Sequence, residues 1–219
     1  MPVNAILEFR TALSAKAALF EVSLTEEEET RLRRYYELLL VWNDRLHLVA
    51  PCSATEFATR HVLESLQLIR HLRTGARIAD VGSGAGLPII PLLITRADLH
   101  AVLIESSHKK TVFLREALRA TGTMDNAQVL NVRFESSPSP LVDYVSCRAL
   151  DRFTDLLPEL IRWAPPASTL LLFGGESVRN QLLASQASFI EFKIPDSDRR
   201  WLFVTESQPH EVSTTDTSE

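Results

Sequence analysis

The sequence predicts a doubly wound α/β fold, in which a mostly parallel sheet ends in an antiparallel hairpin and is preceded by a helical extension. Before residue 76, apolar residues recur at three- and four-residue steps, which is the periodicity of amphipathic helices. After that residue, short apolar strands alternate with helical patterns, as they do in a parallel sheet with helices on both faces. Near the end, two apolar runs flank a short polar loop, which is typical of a hairpin.

The helical extension is expected to contain three helices. The first has apolar residues at helical spacing along residues 6–20. The second begins at a capping box formed by Thr25 and Glu28. The third covers residues 56–72 and ends near Gly75. The apolar stripe of the second helix comprises Leu32, Tyr35, Leu39, Trp42 and Leu46.

The elements of the sheet follow from the change of period. A first strand at residues 77–81 runs into a glycine-rich loop, and the helix behind it covers residues 88–94. That helix can accommodate Pro88 and Pro91 because both fall in its first turn, where backbone N–H groups lack helical partners. Further strands are expected at residues 100–105, 128–133, 144–148 and 169–173, further helices at residues 109–121 and 153–163, and the hairpin at residues 189–194 and 201–204.

These patterns divide the chain into three segments. Residues 1–75 are expected to form the helical extension and residues 76–206 the α/β domain on which it packs. Residues 207–219 are polar and lack periodicity, so disorder is expected there. No exposed apolar element stands out, and a monomer is therefore expected.

Composition and charge restrict the classes of function. The 219 residues include 23 basic and 28 acidic side chains, and the net charge of −5 argues mildly against an RNA partner. Much of the acid lies in residues 26–29 and after residue 206, so local patches must decide that question. The chain has no signal-peptide layout and no apolar run near the roughly 20 residues that span a bilayer, which predicts a cytoplasmic protein without membrane association. Cys52 and Cys147 fit no metal spacing and are expected to be reduced, buried thiols, and no metal site is expected.

The loop after the first strand is the strongest functional signal. Residues 80–87 read DVGSGAGL, with three glycines within five residues. Glycine lets the backbone approach a ligand closely, and the N-terminus of the next helix offers oriented N–H groups. Glu105 ends the next strand, where a carboxylate can accept both hydroxyls of a ribose. The third glycine comes one residue early for a dinucleotide fingerprint, and together with Asp80 the spacing resembles the nucleoside-binding loop of S-adenosylmethionine methyltransferases. A tight turn without a ligand is disfavoured by the glycines and Glu105.

The resemblance extends well beyond this loop. It includes YELLLVWNDRLHLVA at residues 36–50, RHVLES at residues 60–65, DVGSGAGLPIIP at residues 80–91, SSHKKTVFLR at residues 106–115, RFE at residues 133–135, CRA at residues 147–149 and RWLFV at residues 200–204. In this order, over most of residues 24–206, the chain resembles the bacterial 16S ribosomal RNA (guanine-N7) methyltransferase family, also called glucose-inhibited division protein B. The resemblance implies a Rossmann-like methyltransferase sheet, S-adenosyl-L-methionine as cofactor, and 16S rRNA or the small ribosomal subunit as partner.

The resemblance also implies roles for individual residues. Phe134 and Glu135 would flank the adenine, Glu105 would hold the ribose, and Arg148 would lie where the methionine end of the cofactor meets the guanine. The guanine N7 lone pair attacks an already activated methyl group, so no catalytic acid or base is expected. The cofactor-binding set is Asp80, Gly82, Ser83, Gly84, Leu87, Glu105, Phe134, Glu135 and Arg148, and the expected RNA contacts are Arg60, His61, Lys109, Lys110 and Arg115.

Several alternatives stay open at this point. Arg148 could bind the cofactor carboxylate, which we favour, orient the guanine through O6, or form a plain salt bridge. Each RNA candidate taken singly is also what a solvated helix face would show. The family's lysine after the fifth strand is replaced by Phe173, and its Asn-Leu-Thr run by residues 47–49, while aspartate is commoner than Glu64. A methyltransferase acting on a small molecule or a protein is therefore the alternative, and a nicotinamide-dependent oxidoreductase or a non-catalytic nucleoside-binding module is more distant.

Overall fold

A computed structural model of the chain has the α/β architecture that the sequence predicts. It describes residues 3–148 and 153–205, and within them seven strands form one sheet. The strands are β1 (Arg77–Val81), β2 (His100–Ile104), β3 (Ala127–Leu130), β4 (Tyr144–Arg148), β5 (Thr169–Gly174), β6 (Phe189–Lys193) and β7 (Trp201–Thr205). Their order is β3-β2-β1-β4-β5-β7-β6. Strands β1 to β5 pair in parallel and β7 runs antiparallel between β5 and β6, so the predicted hairpin edge is confirmed.

Helices cover the sheet and form the extension before it. The element that the sequence analysis missed is the helix between β5 and β6, whose buried face consists of only Val178 and Leu182 and therefore gives a weak periodic signal. The helices are α1 (Val3–Ala17), α2 (Glu26–Leu46), α3 (Ala54–Glu56), α4 (Ile89–Thr95), α5 (His108–Ala120), α6 (Phe153–Trp163) and α7 (Glu176–Ala184).

The helical extension packs on the sheet through a shared apolar core. Helix α2 begins at the predicted capping box, in which the Thr25 hydroxyl accepts from Glu28 N at 3.2 Å and Thr25 N donates to the Glu28 carboxylate at 2.7 Å. The ring of Tyr36 stacks on Phe9 and on Phe57, with centroid distances of 4.5 and 4.8 Å. One buried cluster joins these rings to the apolar residues of α4, α5 and β1. The segment boundaries at residues 75 and 206 stay a prediction, and the expected disorder of residues 207–219 lies outside the described residues.

The third helical segment is less regular than its sequence predicts. After α3 the chain continues as a π-helix over Phe57–Leu63 and then as a 3-10 helix over Leu66–His71. The N–H of Glu64 donates to Thr59 O, five residues back. The carbonyls of Arg60 and His61 accept from the Arg148 side chain, at 2.6 and 3.5 Å. The π-helical turn therefore contacts Arg148 of β4, and the apolar periodicity of residues 56–72 gives no indication of this contact.

Two smaller expectations from the sequence were wrong. Strand β3 ends at Leu130 and not at residue 133, because the Asn131 amide donates to the carbonyls of Glu105 and Ser106, at 3.0 and 2.9 Å, and the chain turns there. Cys147 is buried as expected, whereas Cys52 is only partly buried because it lies in the connection between α2 and α3.

Candidate functional site

A cleft of about 760 Å³ opens at the carboxyl ends of the parallel strands. The strand order reverses between β1 and β4, and this reversal is where doubly wound sheets bind ligands. Part of the lining follows β1, β2, β3 and β4, and we call it the sheet wall: Gly82, Ser83, Gly84, Leu87, Glu105, Phe134, Glu135 and Arg148. Another part comes from the extension, and we call it the helical wall: His47, Leu48, Val49, Ala50, Arg60 and His61.

The glycine loop after β1 adopts a shape that requires glycine. Gly82, Gly84 and Gly86 all have positive φ, at 72°, 48° and 82°. The N–H groups of Gly82 and Ser83 donate to Ile104 O, at 2.9 and 3.1 Å, which fastens the loop to the end of β2. A Cβ on Gly86 would lie 2.8 Å from Ile90 Cγ1 and closer still to its Cδ1. The loop is therefore compact, and its backbone lines the cleft directly.

Glu105 holds a buried carboxylate at the edge of the cleft. One carboxylate oxygen accepts from Gly84 N at 2.9 Å and the other from Ser107 N at 2.8 Å. Ser107 is also the N-cap of α5, so the loop, β2 and α5 all fix this acid. Each carboxylate oxygen can accept more than one hydrogen bond, and Glu105 retains capacity for a pair of hydroxyls.

Asp80 lies in β1 just before the glycine loop and does not line the cleft, in contrast to the other predicted cofactor-binding residues. Its side chain is buried, and its Oδ1 accepts from the Ser146 hydroxyl at 2.7 Å. Its Oδ2 is buried with no hydrogen-bond partner among the described residues. Burial raises the pKa of Asp80 to about 7, against the opposing effect of its serine hydrogen bonds.

Phe134 and Glu135 lie in the turn after β3, as part of the cleft lining. Phe134 is buried and meets the Trp163 ring edge-on, with 5.6 Å between centroids. Leu156 of α6 adds a further apolar group to the lining. Leu156 and Trp163 were not singled out from the sequence, where they show only as part of the apolar face of α6. Together these residues form an apolar surface near Glu105 that suits an aromatic base.

Arg148 ends β4 and lines the cleft, with a side chain that is 11% exposed. Its guanidinium donates to Ser65 Oγ at 3.2 Å as well as to the two carbonyls of the π-helix, and lies 3.4 Å from the Glu64 carboxylate. It also lies over the Phe173 ring, 5.3 Å from its centroid. Burial lowers the pKa of Arg148, while Glu64 raises it. Phe173, which the sequence analysis noted in place of a lysine, therefore packs against the guanidinium of Arg148.

The predicted RNA contacts separate into two groups. Arg60, His61 and Lys110 line the cleft, whereas Lys109 and Arg115 do not. Arg115 donates to Val129 O at 3.0 Å and fastens α5 to β3. Burial, followed by Arg148 and Arg60, lowers the pKa of His61 to about 3, so His61 is neutral at pH 7. It also packs against the Phe57 ring, at 5.2 Å between centroids.

The loop of the helical wall, residues 47–50, was not predicted to line the site: residues 36–50 were noted as part of the resemblance, and residues 47–49 as a departure from the family pattern. His47 caps α2 with a left-handed conformation, at φ 47°. Asn43 then spans the loop, because its amide donates to Val49 O at 3.2 Å and its oxygen accepts from Val49 N at 2.9 Å. One asparagine in the last turn of α2 thus sets the path of this part of the wall.

Neither a metal site nor a membrane span is found in the part of the chain that the structure describes. No group of three or more histidine, cysteine, aspartate or glutamate side chains in that part could hold a metal ion. None of the helices described there is both long and apolar enough to cross a bilayer.

Known proteins similar to this chain agree on one family. The family model described as rRNA small subunit methyltransferase G matches residues 28–199. The protein named ribosomal RNA small subunit methyltransferase G from Nitrosococcus oceani is 38% identical over 172 residues, which are 78% of this chain and 79% of that protein. The protein of the same name from Chromobacterium violaceum is 38% identical over 141 residues, 64% of this chain and 67% of its own length.

Solved structures with a similar fold include methyltransferases of several kinds. The ribosomal protein L11 methylase from Lactobacillus delbrueckii subsp. bulgaricus has a TM-score of 0.56 at 12% identity, over 68% of this chain and 79% of that one. A SAM-dependent methyltransferase from Aquifex aeolicus has a TM-score of 0.53 at 18% identity, over 64% and 88% of the two chains. At these identities the likeness shows the fold alone.

Proposed function

The chain belongs to the rRNA small subunit methyltransferase G family, and we propose that it transfers a methyl group from S-adenosylmethionine to N7 of a guanine in 16S ribosomal RNA. The observation that carries this proposal is the fixed carboxylate of Glu105, which the glycine loop and the start of α5 hold at the switch point of the sheet. Such an acid beside exposed loop backbone suits a ribose, and Phe134 provides the apolar surface for its base.

The residues of the sheet wall fit an elongated nucleoside ligand. We propose that Glu105 accepts the ribose hydroxyls and that Phe134 and Glu135 flank the adenine, which places the adenosine part near β2 and β3. The other end of the ligand then extends along the glycine loop towards the end of β4, where Arg148 lies. Backbone contacts come from Gly82, Ser83 and Gly84, an apolar contact comes from Leu87, and Asp80 supports the loop from beneath.

The methyl transfer depends on the alignment of the two reactants and not on proton transfer. When bound, S-adenosylmethionine supplies a methyl group whose bond to sulfur breaks as the bond to N7 forms, so the positive charge passes from sulfur to the base. N7 carries a free lone pair, and no side chain needs to remove a proton. The low pKa of His61 and its packing against Phe57 support a structural role for that residue. The walls therefore act by holding the two reactants in line.

The partner is proposed to be 16S rRNA, free or within the small subunit. N7 lies on the major-groove edge, and that groove is deep and narrow in A-form RNA, so the target guanine is expected in a loop or extruded from its stack. Arg60, Lys110 and Arg133 line the cleft and provide local positive charge despite the acidic total. Lys109 and Arg115 lie outside the lining and would contribute less.

The test is to incubate the protein with methyl-labelled S-adenosylmethionine and small subunits, or naked 16S RNA, from a strain that lacks the family enzyme. A single labelled 7-methylguanine is expected. If neither RNA form takes up label while S-adenosylhomocysteine still binds, the substrate is instead a small molecule or a protein. Thermal stabilisation by NAD and not by S-adenosylhomocysteine would overturn the cofactor assignment as well.

A further inference from the structure

Glu64 is a buried acid beside the cleft that joins two arginines from distant parts of the chain. Its side chain is 2% exposed, and Glu64 itself directly follows the π-helix in the chain. Its Oε1 lies 3.4 Å from Nη2 of Arg148, and its Oε2 accepts from Nε of Arg200 at 3.0 Å. Arg148 ends β4 and Arg200 immediately precedes β7. The extension, the centre of the sheet and the terminal hairpin therefore meet at one carboxylate.

The orientation of Arg148 depends on this carboxylate. Among the residues that the structure describes, the other groups that contact its guanidinium are neutral: two backbone carbonyls, the Ser65 hydroxyl and the Phe173 ring. Arg200 and Arg60 lie near enough to disfavour its charge, and Glu64 favours it. Without the acid, like charges would push the arginines apart, and the neutral contacts alone would have to hold Arg148 in place.

The position of Arg148 matters for one end of the ligand. If the adenosine part lies by Glu105 and Phe134, the amino-acid end reaches the junction of β1 and β4. Val81 and Cys147 pair in register there, so Arg148 follows directly across from the glycine loop. Arg148 is the cation that ends β4, whereas Arg133, which also lines the cleft, follows β3 beside Phe134, and the amino-acid end carries a carboxylate.

We propose that Glu64 is a positioning residue that holds Arg148 at the amino-acid end of the cofactor site. This inference rests on the proposed function, because it assumes S-adenosylmethionine as the ligand. It makes the helical extension part of the cofactor site through a residue that does not itself line the cleft.

The test compares two ligands that differ at that end. Glu64→Gln is expected to weaken S-adenosylhomocysteine binding by about tenfold and to leave 5′-methylthioadenosine, which lacks the amino-acid part, unchanged. A merely structural role would weaken both ligands alike, and that result, or unchanged or tighter S-adenosylhomocysteine binding, would overturn the proposal. Both affinities are measured by calorimetry on the full chain, with circular dichroism to confirm folding.

Two variants complete the experiment. Glu64→Asp keeps the charge with a shorter reach and is expected to weaken S-adenosylhomocysteine binding by only about threefold. If Glu64→Gln does not fold, Glu64→Asp decides alone, and wild-type affinity for both ligands overturns the proposal. Glu191→Gln is the matched control, since Glu191 pairs with Arg179 at 2.7 Å on the edge strand, and both affinities should stay unchanged.

The outcomes for the wild-type protein separate this inference from the proposed function. Wild-type protein that binds S-adenosylhomocysteine but methylates no 16S RNA would refute the proposed substrate and leave the Glu64 comparison intact. Wild-type protein that binds neither ligand would refute the cofactor assignment and the inference with it. Normal methylation of 16S RNA together with an unaffected Glu64→Gln variant would refute the inference alone.

Discussion

The two walls of the cleft are built in different ways. The sheet wall consists of residues that follow neighbouring parallel strands, so backbone register alone brings Gly82 and Glu105 together. The helical wall is placed by side chains, as when Arg148 bonds the carbonyls of the π-helix and Asn43 spans the loop at Val49. A disturbance of the backbone is therefore expected to weaken ligand binding at the first wall most strongly. The second should respond to the loss of single polar groups.

The largest effect is expected from a disturbance of the glycine loop. In Gly86→Ala, the new Cβ would collide with Ile90 and approach Leu114 Cδ2 to 3.2 Å, at a positive φ. We expect a loss of about 3 kcal/mol in the free energy of unfolding, and weaker S-adenosylhomocysteine binding. Gly75→Ala is the control, since Gly75 has a similar φ of +68° and nothing within 4 Å of its Cβ position, and should cost about 1 kcal/mol. Equal losses in urea unfolding would show that packing under the loop is unimportant.

Asp80, which lies just before the glycine loop of the sheet wall, should make the stability of the protein depend on pH. Its folded-state pKa of about 7 lies above the value of an unfolded aspartate. Between about pH 4 and pH 7 the folded protein therefore keeps a proton that the unfolded chain releases, and stability falls as the pH rises through that window. In Asp80→Asn, the free energy of unfolding should decrease by about 2 kcal/mol less than in the wild type between about pH 5 and pH 8. Urea unfolding at these two pH values measures the difference.

A partly buried aspartate, Asp98, is the control for that measurement. Hydrogen bonds from Arg96 and from Gly75 N hold the pKa of Asp98 below its usual range. The stability that Asp98 contributes is present above its unfolded pKa and is lost only as the pH falls through its folded value. Asp98→Asn should thus leave the change between about pH 5 and pH 8 as it is in the wild type. If Asp80→Asn also keeps the wild-type change in unfolding free energy, Asp80 is not the cause of that change.

The helical wall should depend on Asn43. Asn43→Ala releases the loop at Val49, and we expect a loss of about 1 kcal/mol in stability and a several-fold higher KM for RNA, with S-adenosylhomocysteine affinity unchanged. Asn126→Ala is the matched control, because Asn126 likewise makes two hydrogen bonds to the backbone but away from the cleft, donating to Ala97 O and Leu99 O at 2.8 and 3.1 Å. A similar KM in the two variants would mean that the loop has no part in RNA binding.

The smallest effect is expected at the cleft rim. Lys110 lines the cleft and its neighbour Lys109 does not, although both lie in the first turn of α5. Lys110→Ala should lower RNA affinity modestly and reduce the slope of log affinity against log salt by about 1, whereas Lys109→Ala should change the slope less. The slopes come from RNA titrations at several salt concentrations, and the reverse ranking would place the RNA on a different face of α5.

Much of the fold could be predicted because its signals are local. Strands β1 and β4 and helix α6 begin and end where the sequence predicts, since apolar runs and helical spacing are properties of short segments. Strand β3 stops early because Asn131 bonds the end of the neighbouring strand. The contact of Arg115 with RNA stays a prediction, and its bond between α5 and β3 was not predicted, because an arginine pattern does not reveal which carbonyl it will meet.

The sequence by itself determined the α/β class, the glycine loop and the strand-end acid Glu105, because strand register brings such residues together in any sheet of this order. Only the tertiary structure decided the helical wall and its link to Arg148 at the end of β4. Glu64 meets Arg200 across 136 residues, and the π-helix turns its carbonyls to Arg148. A buried ion pair forms where folding removes water from both partners, and no periodicity in either segment records where that happens.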